Sequence, residues 1–199
     1  GGNLTFTAPT FTVPKAWTSV GNMALTANAG DLTMNANLSV TGASQALTLK
    51  STGNISQGAY TVSTNGGAAL YWSDTDAATA RGGGIVTAAS SSITTSGGAL
   101  TFSGGTDYTT SWAKGTSSTN ETGVYLAGSI STGAGNITIR GEEAATTSTT
   151  RQGVMFLAGS STTSTSGVIT VNGKVDATNS DTANNHYGIF TGSNGTLAT

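Results

Sequence analysis

Asp74 and Asp76, one residue apart, come nearest in this chain to a metal-ligand spacing. Alternating carboxylates in a loop suit a hard, oxygen-seeking cation such as calcium. Two acids are too few to complete such a site, and the tandem Gly-Gly-x-Gly-x-Asp nonapeptides of calcium-binding β-rolls are absent. An Asx turn is therefore the preferred reading, and no metal is assigned. Tyr108 and Trp112, beside Asp107, Lys114 and several hydroxyl residues, form a candidate ligand-contact loop: flat rings to stack on sugars, with hydrogen-bonding groups around them. Anchoring that loop against the body of the protein is the competing role and is preferred. Glu142 and Glu143 are the one adjacent pair of acids, but neighbours in an extended chain point to opposite sides. With His186 the sole histidine, the spacing assembles no nucleophile, acid and base, so no catalytic residue and no cofactor are expected.

Two further patterns are better explained by structure. Asn3, Asn37, Asn54, Asn120, Asn136 and Asn194 match the N-glycosylation pattern, but nearly a third of the chain is Ser or Thr, which makes chance matches common. Asn at a turn also tolerates positive φ and stacks into ladders, the role assigned here. Thr5, Thr33, Thr48, Thr101, Thr138 and Thr170 alternate with apolar residues. One Thr per strand lacks the paired rows of an ice-binding face, and solvent-side β-propensity accounts for it.

Composition narrows the partners. Charged residues are 8% of the 199, with net charge −2, which gives no clustered Lys and Arg for nucleic acid or an anionic membrane surface. The chain has no Cys, so disulfides and thiolate sites are ruled out together. No apolar run approaches the ~20 residues of a membrane helix. With no signal-peptide pattern either, the chain reads as a mature piece of a longer exported polypeptide.

What must position any site is a repeat. Gly135-Asn136-Ile137-Thr138-Ile139 is a turn pair followed by a strand with apolar residues on one face, and near-copies begin at Gly2, Gly21, Gly30, Gly98 and Gly167. From Gly21 to Trp72 the apolar pairs recur every third strand at an offset of roughly 23 residues. In that reading Met23, Leu47 and Leu70 align, as do Leu32 with Ile55 and Leu38 with Tyr60. Strands so short, punctuated by Gly, Asn and Ser, exclude interleaved helices. The echo favours an all-β parallel solenoid over a sandwich: three short strands per coil and roughly seven coils in one segment, a rod about 35 Å long.

Residues 1–72 read as compact coils and 73–199 as coils with long Thr/Ser-rich insertions. The insertions fall at one corner, between the third strand of one coil and the first of the next: 73–83, 104–122, 141–152 and 173–187. They hold Asp74, Asp76, Arg81, Asp107, Lys114, Glu121, Glu142, Glu143, Arg151, Lys174, Asp176, Asp181 and His186. Stacked insertions on one edge of a solenoid often make its working surface. Both termini fall inside the motif, so the segment is expected to continue into further repeats or to join neighbouring copies end to end.

The Gly-Asn-Ile-Thr-Ile pattern, Ala69-Leu70-Tyr71-Trp72-Ser73-Asp74-Thr75-Asp76 and Ile93-Thr94-Thr95-Ser96-Gly97-Gly98-Ala99-Leu100-Thr101 resemble the repeat shafts of filamentous-haemagglutinin-type exoproteins exported by two-partner secretion. The likeness runs from about Gly21 to the end. It implies a right-handed parallel β-helix, an extracellular or bacterial cell-surface location, and a structural role in adhesion or fibre building. The family's Asn-Pro-Asn-Leu secretion motif is missing, so the resemblance is to shaft, and no functional residue carries over. The expected function is a non-catalytic shaft whose partners are further repeats or copies of itself and host or cell-surface glycans. The alternative is a carbohydrate-binding or glycan-active β-helix.

Overall fold

A computed structural model describes residues 2–78, 82–116, 121–144, 150–176 and 185–199. Arg81, Asn120 and Asp181 lie outside the described residues. The described residues form a right-handed parallel β-helix of seven coils, each built on three strands. The first coil holds β1 (Leu4–Ala8), β2 (Phe11–Val13) and β3 (Trp17–Ser19), and the second β4 (Met23–Ala27), β5 (Leu32–Met34) and β6 (Leu38–Ala43). The third holds β7 (Leu47–Ser51), β8 (Ile55–Gln57) and β9 (Thr61–Asn65). The fourth holds β10 (Ala69–Ser73), β11 (Ile85–Thr87) and β12 (Ser92–Thr94). The fifth holds β13 (Leu100–Gly104), β15 (Val124–Leu126) and β16 (Ser129–Ser131), with the short β14 (Ala113–Lys114) added in its junction. The sixth holds β17 (Ile137–Glu142), β18 (Thr150–Phe156) and β19 (Ser161–Thr163). The last holds β20 (Ile169–Lys174), β21 (Asn185–Thr191) and β22 (Thr196–Ala198).

Each strand pairs in parallel with its equivalents above and below, so side chains stack in columns. One core column runs Met23, Leu47, Ala69, Leu100, Ile137, and its neighbour runs Leu25, Leu49, Tyr71, Phe102, Ile139. All ten are buried. The second sheet contributes Leu32, Ile55, Ile85, Val124 and Val154, and the third Leu38, Val62, Ile93 and Ile130. The Thr column on the outer face of the first sheet is interrupted by Ala24 and Leu70.

Two alignments read from sequence are corrected. Ala69, not Leu70, stacks on Leu47, and Val62, not Tyr60, stacks on Leu38. Leu70 and Trp72 face outward, while Ala69 and Tyr71 are inside. Every residue of Ala69-Leu70-Tyr71-Trp72 is apolar, so period-2 patterning cannot choose the face; a one-residue slip inverts the whole strand. The corner decides. A Cβ on Gly67 would stand 1.8 Å from the Gln45 carbonyl oxygen, so Gly67 must sit directly over the preceding coil.

That close approach repeats at the same corner. A Cβ on Gly98 would meet the Gly67 oxygen at 1.9 Å, and one on Gly135 the Gly98 oxygen at 2.0 Å. The hydroxyls of Thr64, Thr95 and Thr132 donate to the carbonyls of Gly67, Gly98 and Gly135, which fixes the turn from within. At strand entries, side-chain oxygens take the backbone N–H of the next coil: Asn22 from Ala46 at 2.7 Å, Asp31 from Asn54 at 2.7 Å, Asn54 from Gly84 at 2.9 Å and Asn136 from Val168 at 2.8 Å. Asn3 and Asn37 do the same for Asn22 and Thr61. Gly135→Ala is expected to destabilise the protein by about 2 kcal/mol or more, because its methyl group meets backbone that cannot move away. Denaturant midpoints of the two proteins measure this, and an unchanged midpoint contradicts the corner argument.

Candidate functional site

The offset between stacked residues rises from 24 between Asn22 and Ala46 to 38 between Ser91 and Ser129, then falls again, with Val124 stacked on Val154 and Ile137 on Ile169. The added residues fall between the first and second strands of each coil as numbered above, the same junction that the sequence reading counts as third-to-first, and let strands of the first and second sheets run past the corner and meet. Glycines make this meeting possible: a Cβ on Gly123 would lie 2.4 Å from the Ala113 oxygen, and one on Gly141 would lie 2.1 Å from the Gly153 oxygen. The charged side chains gather beside this crossing.

On its outer side, Lys114, Glu142 and Lys174 stand in register on three adjacent strands. Glu142 is 3.5 Å from Lys114 and 3.1 Å from Lys174, and Lys114 is also 3.6 Å from Asp176. On the inner side, Glu143 is fully buried and His186 places Nδ1 3.1 Å from both of its carboxylate oxygens. The backbone N–H of Asp176 donates to Glu143 at 3.2 Å. Arg151, also fully buried, donates from one terminal nitrogen to the Ala144 carbonyl at 2.9 Å and places the other 3.5 Å from His186 Nε2. The two neighbouring glutamates thus serve opposite sides of an extended strand.

A cleft of about 220 Å³ opens where the fourth and fifth coils meet this edge, lined by Asp74, Thr106, Ser111, Trp112, Lys114 and Glu142, with Ala77 and Gly105 completing the wall. Asp74 follows β10 in the left-handed region at φ 51°. Its residue is 5% exposed, and its Oδ1 has no hydrogen-bond partner. Burial, then the neighbouring Asp76 charge, pushes its pKa up to about 7, with Lys114 opposing and Glu142 reinforcing. Asp76 holds the turn, since its Oδ1 accepts the Ala78 N–H at 3.2 Å. Among the described residues, no group of three or more His, Cys, Asp or Glu is placed to hold a metal ion.

The loop from Gly105 to Trp112 is fixed from both ends. Trp72 donates its indole N–H to the Gly105 carbonyl at 2.6 Å, and Lys50 lies 4.2 Å from the Trp72 ring centre. Tyr108 packs on Trp72 at 5.3 Å between ring centres, which is an anchoring contact. Trp112 is half-buried on the cleft wall, so the structure separates the two aromatics that the sequence groups together. Asp107 accepts from the Thr109 hydroxyl at 2.6 Å, the Thr109 N–H at 2.9 Å and the Thr110 hydroxyl at 3.0 Å. These bonds, the Thr109 hydroxyl first, hold its carboxyl below the usual range.

No family model, curated protein or solved structure shows significant similarity to the chain. No helix among the described residues is long and apolar enough to cross a membrane. The fold is consistent with a structural role.

Sequence reasoning missed the Lys114–Glu142–Lys174 column and the Glu143–His186–Arg151 group, although it placed all six on the junction edge. Their partnerships depend on which coils stack, and no local spacing carries that.

Glu143→Ala removes a fully buried carboxylate that accepts the Asp176 N–H and faces His186 Nδ1; it is expected to cost about 2–3 kcal/mol. Lys174→Ala, at a side chain 49% exposed, is expected to cost less than about 1 kcal/mol. Chemical denaturation of both variants tests the contrast. Because the folded pKa of Asp74 is raised, the folded protein binds its proton more tightly than the unfolded chain does. Stability therefore falls as pH rises from the ordinary Asp range through about 7 and levels off above it. Melting temperatures measured from pH 5 to 9 are expected to show this slope, and Asp74→Asn to flatten it and to melt higher than the parent at pH 8.

Proposed function

We propose that the chain is a non-catalytic shaft segment of an extracellular bacterial fibre or adhesin of the filamentous-haemagglutinin type. The observation that carries the proposal is the parallel strand pairing that runs through all seven coils, which gives an architecture extended by adding further coils.

The first coil carries an aromatic group: Phe6 and Trp17 lie 5.0 Å apart, and Phe11 and Trp17 5.8 Å, between ring centres. In the reading proposed here, the shaft carries its variable, charged edge outward as the surface that meets other cells.

Electron microscopy of the protein isolated from its native source tests this reading. The expected outcome is a thin continuous fibre; isolated compact particles, with no rod in any preparation, overturn it.

A further inference from the structure

We propose that the cleft between Asp74, Trp112, Lys114 and Glu142 binds one sugar residue of an uncharged glycan. The inference rests on the junction edge being the working face of the shaft. Its test reads the cleft and not the fibre, so either can fail alone.

Size comes first. At about 220 Å³ the cleft is smaller than the roughly 300–1,000 Å³ typical of sites for drug-sized ligands, and it suits a single ring. One wall is aromatic. Tyr108 is engaged with Trp72, while Trp112, half-buried, lines the cleft and makes no ring contact with another aromatic among the described residues. The C–H face of a pyranose packs on such a ring, where both apolar surfaces leave water.

Hydrogen bonding points the same way. Sugar hydroxyls both donate and accept, and the wall offers both functions through the Thr106 and Ser111 hydroxyls, the Asp74 carboxyl, the Glu142 carboxylate and the Lys114 ammonium. Asp74 is itself a lining residue, with 5% of its surface exposed. The proton that Asp74 retains up to about pH 7 adds a donor at the same point.

Charge argues against ionic ligands. Glu142 is already paired with Lys114 and Lys174, and Lys114 with Asp176. An anion or a cation entering the cleft would have to displace one of these partners, and a divalent cation would lack a third carboxylate or imidazole. A neutral polyol enters with every pair intact.

Saturation-transfer NMR on the folded protein tests the proposal, with galactose, mannose and N-acetylglucosamine as neutral probes and glucosamine and glucuronate as charged ones. At least one neutral sugar is expected to bind at millimolar concentration, ahead of both charged ones. Trp112→Ala is expected to weaken that binding by about tenfold or more, and Lys15→Ala, exposed in the first coil away from the cleft, to leave it unchanged. Thr106→Trp fills the cleft from an exposed position without removing a core contact, and it is expected to abolish binding even if Trp112→Ala fails to fold. Absence of transfer to every neutral sugar, preference for a charged one, or binding that survives Thr106→Trp overturns the proposal.

Discussion

Backbone hydrogen bonding between one coil and the next is the constraint on which the rest of this protein depends. The N–H and C=O groups of three short strands per coil have no partners within their own coil, so each coil is satisfied only by the coils above and below. This requirement fixes the strand spacing and brings equivalent residues into columns. It also makes any corner position with a side chain a collision with the backbone beneath. The glycines at 67, 98 and 135 mark where two backbones come too close for a Cβ, and the Thr hydroxyls beside them satisfy carbonyls that the turn would otherwise strand. The core is narrow because only alternate residues of three- to seven-residue strands point inward.

The junction edge follows different physics. Strands lengthened past the corner cannot bury apolar columns there, and the chain places charges instead, arranged by the same register. Lys114, Glu142 and Lys174 alternate in sign across adjacent strands, so the stacking that drives apolar columns together also brings opposite charges together. Behind them, Glu143 and Arg151 are fully buried, and their geometry is constrained by Asp176, Ala144 and His186. Tyr71 and Gln57 play a comparable part inside the rod: the Tyr71 hydroxyl donates to Gln57 Oε1 at 2.7 Å, while the Gln57 amide holds the Tyr60 and Ser92 carbonyls. Burial raises the Tyr71 pKa well above its ordinary value, so it remains a neutral donor.

A rod of this kind separates scaffold from surface. The columns tolerate little, since a side chain added at a corner or a charge added in the core disrupts every coil stacked on it. The junction tolerates much, because its residues leave the ladder and return to it. The cleft at Asp74 and Trp112 lies between these regimes: its floor is held by the ends of β10 and β14, and its rim is a loop tied down by Trp72, Tyr108 and Asp107.

The solenoid, its three strands per coil and the edge that would collect the charges were all legible in the amino-acid sequence, because a two-residue alternation and a repeated Gly-Asn turn are local signals. The role of Asn as a ladder residue was legible for the same reason. The facing of Ala69-Leu70-Tyr71-Trp72 was not, since four consecutive apolar residues carry no alternation; only the contact of Gly67 with the coil below selects the buried pair. The tertiary structure alone also decided that Tyr108 anchors while Trp112 lines a cleft, which partners Glu142 and Glu143 take, and that Asp74 is left with an unpartnered oxygen. Those outcomes depend on which junction lies over which, a relation between residues 30 to 40 apart whose spacing varies from coil to coil. A sequence encodes the step of such a stack locally, but the neighbours across a variable insertion exist only once the ladder has closed.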